Sequence, residues 1–161
     1  MTEAVRALSG KSLVPEVEVR AGRRHRVLAP RAVTGRGRVL VVDDEPEVLE
    51  TLREILEELG YEASTAASGE QAIPAMAIVR PHVVFLDWLI PGVSGMEALT
   101  YFRQHHRTVP VIVITGSIEQ EVARQASAGG AFDVVGKPFD LPALKGLAAR
   151  AMSVARAAPR H

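Results

Sequence analysis

Along most of this chain the period of the apolar positions switches between that of a strand and that of a helix. Val39-Leu40-Val41-Val42 is a continuous apolar run ending in Asp43-Asp44, as expected for a short strand buried on both faces of a parallel sheet. Behind it Pro46 suits a first helical turn. Val48, Leu49, Leu52, Ile55, Leu56 and Leu59 then recur at helical spacing until Gly60 supplies a stop. Residues 61–66 read as a second, weaker strand. Ser68 with Gln71 forms a capping box for a helix running towards Arg80, and Pro74 should bend that helix by removing a backbone bond. Residues 82–86 are a third strand ending in Asp87, and residues 111–114 a fourth ending in Thr115-Gly116. A helix over about residues 95–105 lies between them. Ser117 with Gln120 caps the next helix, residues 132–135 form a fifth strand, and after Lys137-Pro138 the last helix is capped by Asp140 and reaches about residue 155.

Five alternating strand–helix pairs require parallel pairing through right-handed crossovers, with helices on both faces of the sheet. The expected fold is therefore a doubly wound α/β domain with a five-stranded parallel sheet and five helices, over residues 38–157. Ligands of such sheets bind outside the carboxyl ends of the strands. Asp43, Asp44, Asp87, Thr115 and Lys137 all stand there. Taken singly, each has a plain structural explanation as a turn residue, a helix cap or a solvated lysine. Their convergence has none: they are the polar side chains that directly end four otherwise apolar strands.

Composition adds a second segment to this picture. The chain has 161 residues and no net charge, yet residues 1–38 hold nine Lys and Arg against three acids while the remainder holds ten against sixteen. The first part lacks Phe, Tyr and Trp, and its Arg20, Arg23, Arg24, Arg26, Arg31, Arg36 and Arg38 sit among Gly, Pro and Ala. Residues 1–37 are thus expected to be a basic, mostly disordered arm. Val17 and Val19, with Val27-Leu28 beyond Ala21-Gly22, allow a short hairpin of unfixed register. Residues 158–161 form a short tail. The absence of cysteine excludes a disulfide scaffold, a thiolate zinc site and a cysteine nucleophile. With no run of 18 apolar residues and no signal-peptide pattern, the expected location is cytoplasmic and no membrane partner is expected. Ser9-Gly10-Lys11-Ser12 imitates the end of a phosphate loop, but Val5 occupies the leading glycine position.

Four segments together carry a resemblance: Val41-Val42-Asp43-Asp44-Glu45, Asp87-Trp88-Leu89-Ile90-Pro91-Gly92, Ile114-Thr115-Gly116-Ser117 and Gly136-Lys137-Pro138-Phe139. In order, spacing and strand context the chain resembles the receiver domain of bacterial two-component response regulators over about residues 38–157. That resemblance implies the flavodoxin-like or CheY-like strand order 2-1-3-4-5. It implies a phosphoryl-accepting signalling switch that assists only its own phosphorylation and dephosphorylation. By position it makes Asp87 the phosphoacceptor, and Asp43 and Asp44, with Asp87 and the Leu89 backbone carbonyl, the ligands of Mg²⁺. The backbones of Trp88 and Gly116, with Thr115 and Lys137, would bind phosphate, and Thr115 would be the switch hydroxyl. The implied partners are a histidine kinase or histidine phosphotransfer protein and a downstream protein target. A cis Lys137-Pro138 bond is also implied.

Elementary electrostatics supports these roles. Two carboxylates about 4 Å apart repel by roughly 4 kcal/mol at an effective dielectric of 20, so three converging on one pocket call for a cation or a proton. Few carboxylates with room for water favour Mg²⁺ over Ca²⁺. One departure stands out: Val134 occupies the place of the family's aromatic switch residue, so the face formed by the fourth helix, fifth strand and last helix should respond by backbone shift. Trp88 is expected to be partly exposed and to report metal binding by fluorescence. The chain's end at His161 leads to the expectation of a stand-alone receiver. Two alternatives belong to other classes. A hydrolase needs a substrate pocket and a further acid or base, which neither His82 nor His105-His106 supplies at a strand end. Nucleic-acid binding through the arginine arm would lack aromatic stacking and a recognition helix, so no nucleic-acid partner is expected. A receiver that binds partners without phosphorylation is the remaining alternative.

Overall fold

A computed structural model describes residues 16–20, 23–26, 35–90, 92–116 and 119–158. In chain order the elements are β1 (Glu16–Arg20), β2 (Arg23–Arg26), β3 (Arg38–Val42), α1 (Pro46–Glu58), β4 (Glu62–Ala66), α2 (Gly69–Val79), β5 (Val83–Asp87), α3 (Gly95–His105), β6 (Val111–Thr115), α4 (Gln120–Ala128), β7 (Asp133–Gly136) and α5 (Leu141–Ala157). Strands β3 to β7 form one sheet of order β4-β3-β5-β6-β7, parallel throughout. Counted within that sheet the order is 2-1-3-4-5, the doubly wound arrangement. Strand ends differ from the sequence expectation by about one residue, as where Asp87 and Thr115 complete β5 and β6 instead of following them.

Alternation along each strand divides the core into two layers. Leu40 and Val42 of β3, Val84 and Leu86 of β5, and Val111 and Val113 of β6 pack with α2 and α3 through Ala75, Met76, Leu99 and Phe102. Val39, Val41, Phe85, Ile112 and Ile114 face the other way, against Leu49, Leu52 and Leu56 of α1 and Leu144, Leu147 and Ala151 of α5. Burying each of these large side chains contributes about 1.5–3 kcal/mol before conformational entropy is subtracted. The sheet is thereby fixed in register on both faces, which holds the carboxyl ends of β3, β5 and β6 level with one another.

Helix starts follow the sequence in part. Ser68 Oγ accepts from the Gln71 N–H at 3.1 Å, and Gln71 Oε1 accepts from the Ala67 N–H at 3.0 Å. Ser94 caps α3 in the same way through the Glu97 N–H. α5 has Asp140 at its N-cap, as expected, and α4 has Glu119, but neither side chain makes a capping bond. Ser117 lies outside the described residues. At the opposite ends of the helices, Arg36 Nη1 donates to the Leu59 carbonyl at 3.1 Å and Arg38 Nε to the Val79 and Arg80 carbonyls at 3.1 and 3.0 Å. Cations are favoured at helix C-termini, so two arginines counted with the basic arm brace α1 and α2 instead.

Within the arm, besides residues 35–37, the structure describes β1 and β2, which pair antiparallel. Their register sets Glu16 opposite Arg26 and Glu18 opposite Arg24. Val27-Leu28 and the Ser9–Ser12 imitation of a phosphate loop lie outside the described residues. No helix among those described is long and apolar enough to cross a membrane.

Candidate functional site

The strand order reverses direction at β3, which has β4 on one side and β5 on the other. The crevice beyond β3 and β5 is where such sheets bind ligands, and four acids gather there. Asp43, Asp44, Glu45 and Asp87 each place a carboxylate oxygen within 4.8 Å of the others. Asp43 immediately follows β3, and its N–H donates to the Ala66 carbonyl of β4 at 3.1 Å. Its side chain is wholly buried. Asp43 Oδ1 accepts from the Glu45 N–H at 2.9 Å, which closes the turn into α1. Asp44 is exposed, as is Glu45 at the N-cap of α1.

Asp87 is the last residue of β5 and only 4% exposed. Its Oδ1 accepts a long hydrogen bond from the Leu89 N–H at 3.4 Å. Burial first, and the facing Asp43 carboxylate second, push the Asp87 carboxyl from 3.8 up to about 7, against the opposing pull of Lys137 and the Leu89 N–H. Lys137 follows β7, its backbone N–H bonded to the Thr115 carbonyl at 2.9 Å. Its Nζ lies 2.9 Å from Asp43 Oδ2, 3.3 Å from Glu45 Oε1 and 3.7 Å from Asp87 Oδ2. Partial burial works against the ammonium, but Asp43, Asp87 and Glu45 outweigh it, and the lysine sits above its ordinary value. The Lys137-Pro138 bond is cis, as the resemblance implied.

Thr115 ends β6 with its side chain buried, and Gly116 beside it is exposed. Val134 is half-buried on β7 opposite Val113 and packs against the core layer of α2 and α3. Trp88 corrects an expectation: its side chain is 8% exposed and belongs to that same core layer, whereas the next residue, Leu89, is 77% exposed. The reason is local. Trp88 N–H donates to the Ile114 carbonyl at 2.9 Å and its carbonyl accepts from the Gly95 N–H at 3.2 Å, holding the residue between β6 and α3. A Cβ on Gly95 would stand 2.6 Å from the Trp88 oxygen, so the loop can close over the tryptophan only with glycine there.

Structure therefore brings Asp43, Asp44, Asp87 and Lys137 together as the sequence implied, and adds Glu45. Glu45 was read only as part of a motif; its signal is a third consecutive acid at a strand end facing a single lysine. The group fits a divalent cation. Asp43 Oδ2 is buried and, although near Nζ, receives no well-directed hydrogen bond, leaving an acceptor in a crevice of concentrated negative charge. Two of the four acids are exposed, which leaves open positions for water, as Mg²⁺ prefers.

Residues 39–149 match the model of the response regulator receiver domain. The chain is 38% identical over 122 residues to the regulatory protein AtoC of Escherichia coli, covering 76% of this chain and 26% of that protein. It is 37% identical over 120 residues to the nitrogen assimilation regulatory protein NtrX of Azorhizobium caulinodans, covering 73% and 26%. It thus spans about a quarter of the length of these curated relatives. Among solved structures, the receiver domain of NtrX from Brucella abortus superposes with a TM-score of 0.68 at 34% identity, covering 71% of this chain and 98% of that one.

Proposed function

The chain belongs to the response regulator receiver domain family, and from that membership we propose that Asp87 is the carboxylate on which it accepts a phosphoryl group. One observation carries the assignment. Asp87 ends β5 in the crevice with Lys137 Nζ 3.7 Å away and the carboxylates of Asp43, Asp44 and Glu45 alongside.

The proposed donor is a phosphohistidine of a histidine kinase or a histidine phosphotransfer protein. An Asp87 oxygen forms a bond to phosphorus while the phosphorus–nitrogen bond breaks; the bonding pair returns to the imidazole ring, and the product is an acyl phosphate. Asp43, Asp44 and Asp87 would hold Mg²⁺, with the Leu89 backbone carbonyl, and the bound ion supplies positive charge for the phosphoryl oxygens. Lys137 contributes a second positive charge already aimed into the crevice. The Gly116 backbone N–H would meet the phosphoryl oxygens, whereas the Trp88 N–H is already given to the Ile114 carbonyl. Negative charge on Asp87 then draws the Thr115 hydroxyl, and movement of the segment after β6 is passed to α4, β7 and α5, where a downstream protein binds. Val134 offers no aromatic lever, so the change travels through backbone. The chain acts on no substrate beyond its own acyl phosphate, and its place is the cytoplasm, where such kinases present their phosphohistidines.

Incubation with a phosphorylated kinase domain tests this directly. Label should pass to the unaltered chain and not to Asp87→Asn. Equal labelling of both overturns the assignment.

A further inference from the structure

We infer that Glu45 is a positioning residue that occupies Lys137 until a phosphoryl group arrives, a role resting on the reading of Asp87 given above. Glu45 is the N-cap of α1, with extended backbone at φ −89° and ψ 113°. An N-cap side chain with an oxygen acceptor commonly turns back to accept from the free N–H groups of the first turn. Glu45 makes no such bond. It reaches instead to Lys137, accepting from Nζ at 3.3 Å. Its own N–H is held by Asp43 Oδ1 at 2.9 Å, which anchors the backbone from which the side chain extends.

Three carboxylates share this ammonium, and they are not equivalent. The Asp43 side chain is fully buried and lies nearest, at 2.9 Å; Asp87 is farthest, at 3.7 Å, although it is the group that Lys137 must serve. The Glu45 side chain is 62% exposed, so it alone can return to water at little cost. A phosphoryl group on Asp87 brings further negative charge and new acceptors to the same three N–H bonds of Lys137. Like charges at such distances repel. Glu45 is consequently the partner displaced, and its hold on Lys137 in the resting state opposes the arrival of the phosphoryl group. Exposed ion pairs of this kind shift an equilibrium by roughly 1.4- to 5-fold.

The experiment uses the full chain, saturating Mg²⁺ and acetyl phosphate. Glu45→Gln keeps the side chain's volume and removes its charge, and no capping bond is lost. Its KM for acetyl phosphate should fall by about 1.4- to fivefold with kcat unchanged, and the difference should shrink as salt is raised. Affinity for beryllium fluoride, an unreactive stand-in for the phosphoryl group, should rise by the same factor in calorimetry. Glu47→Gln removes an equal charge from the first turn of α1 and should leave both quantities unaltered. If the unaltered chain is phosphorylated but Glu45→Gln shows an unchanged or higher KM, the Glu45 assignment alone is overturned. An equal effect of Glu47→Gln also overturns it, by making the cause general charge. No phosphorylation of the unaltered chain overturns this inference together with the proposal for Asp87.

Discussion

In the metal-free protein, Asp87→Asn should stabilise the fold at neutral and alkaline pH. The Asp87 carboxyl is pushed up from 3.8 to about 7, mainly by burial and then by Asp43. A carboxyl whose folded value exceeds its unfolded value binds more protons when folded. Stability is therefore full below about 3.8, falls as pH rises, and reaches its lower level above about 7. Each pH decade across that window is worth about 1.4 kcal/mol, so ionised Asp87 costs the fold at most about 4 kcal/mol. Asparagine keeps the volume, stays neutral and retains an oxygen for the Leu89 N–H. Urea denaturation followed by far-ultraviolet circular dichroism, in the presence of a chelator, should show Asp87→Asn more stable by about 1–4 kcal/mol at pH 8 and nearly equal to the parent at pH 4. Saturating Mg²⁺ should narrow the gap, because it binds the folded parent and stabilises it by mass action. A variant no more stable than the parent at pH 8, or a gain that persists undiminished at pH 4, would refute the electrostatic account of this crevice.

Other perturbations test separate parts of the structure. Lys137→Met removes the charge that opposes burial of the Asp87 carboxylate, so carbon-detected titration of metal-free protein should place the Asp87 carboxyl above about 7. Gly95→Ala puts a methyl group 2.6 Å from the Trp88 carbonyl oxygen; thermal denaturation should show a loss of about 1–3 kcal/mol from overpacking. Ser68→Ala deletes the acceptor that caps α2 at 3.1 Å and should cost about 1 kcal/mol in the same assay.

How much of this was legible in the sequence depends on the scale of the feature. The strands are short apolar runs because both faces of β3, β5 and β6 are covered, and such runs announce themselves. Parallel pairing then forces Asp43, Asp87 and Lys137 to one end of the sheet without further information. What pattern could not supply is direction at individual side chains. Trp88 follows Asp87 and was expected to be partly exposed, yet its two backbone bonds to β6 and α3 turn the indole inward and leave Leu89 outside. Glu45 fits the acidic first turn of any helix; its reach to a lysine 92 residues away depends on where β7 ends. Asp140 stands at the N-cap of α5 as expected, but its side chain makes no capping bond, a matter of side-chain direction that residue type does not fix. Arg36 and Arg38 looked like part of a basic arm because composition cannot register that the carbonyl ends of α1 and α2 lie beside them.

The most direct test of the central claim is intact mass followed by peptide mapping, after incubation of the unaltered chain with Mg²⁺ and acetyl phosphate. One added phosphoryl group per chain, located on Asp87 and lost in the presence of a chelator, is the predicted result. An unmodified mass, or a phosphoryl group on any other residue, would contradict it.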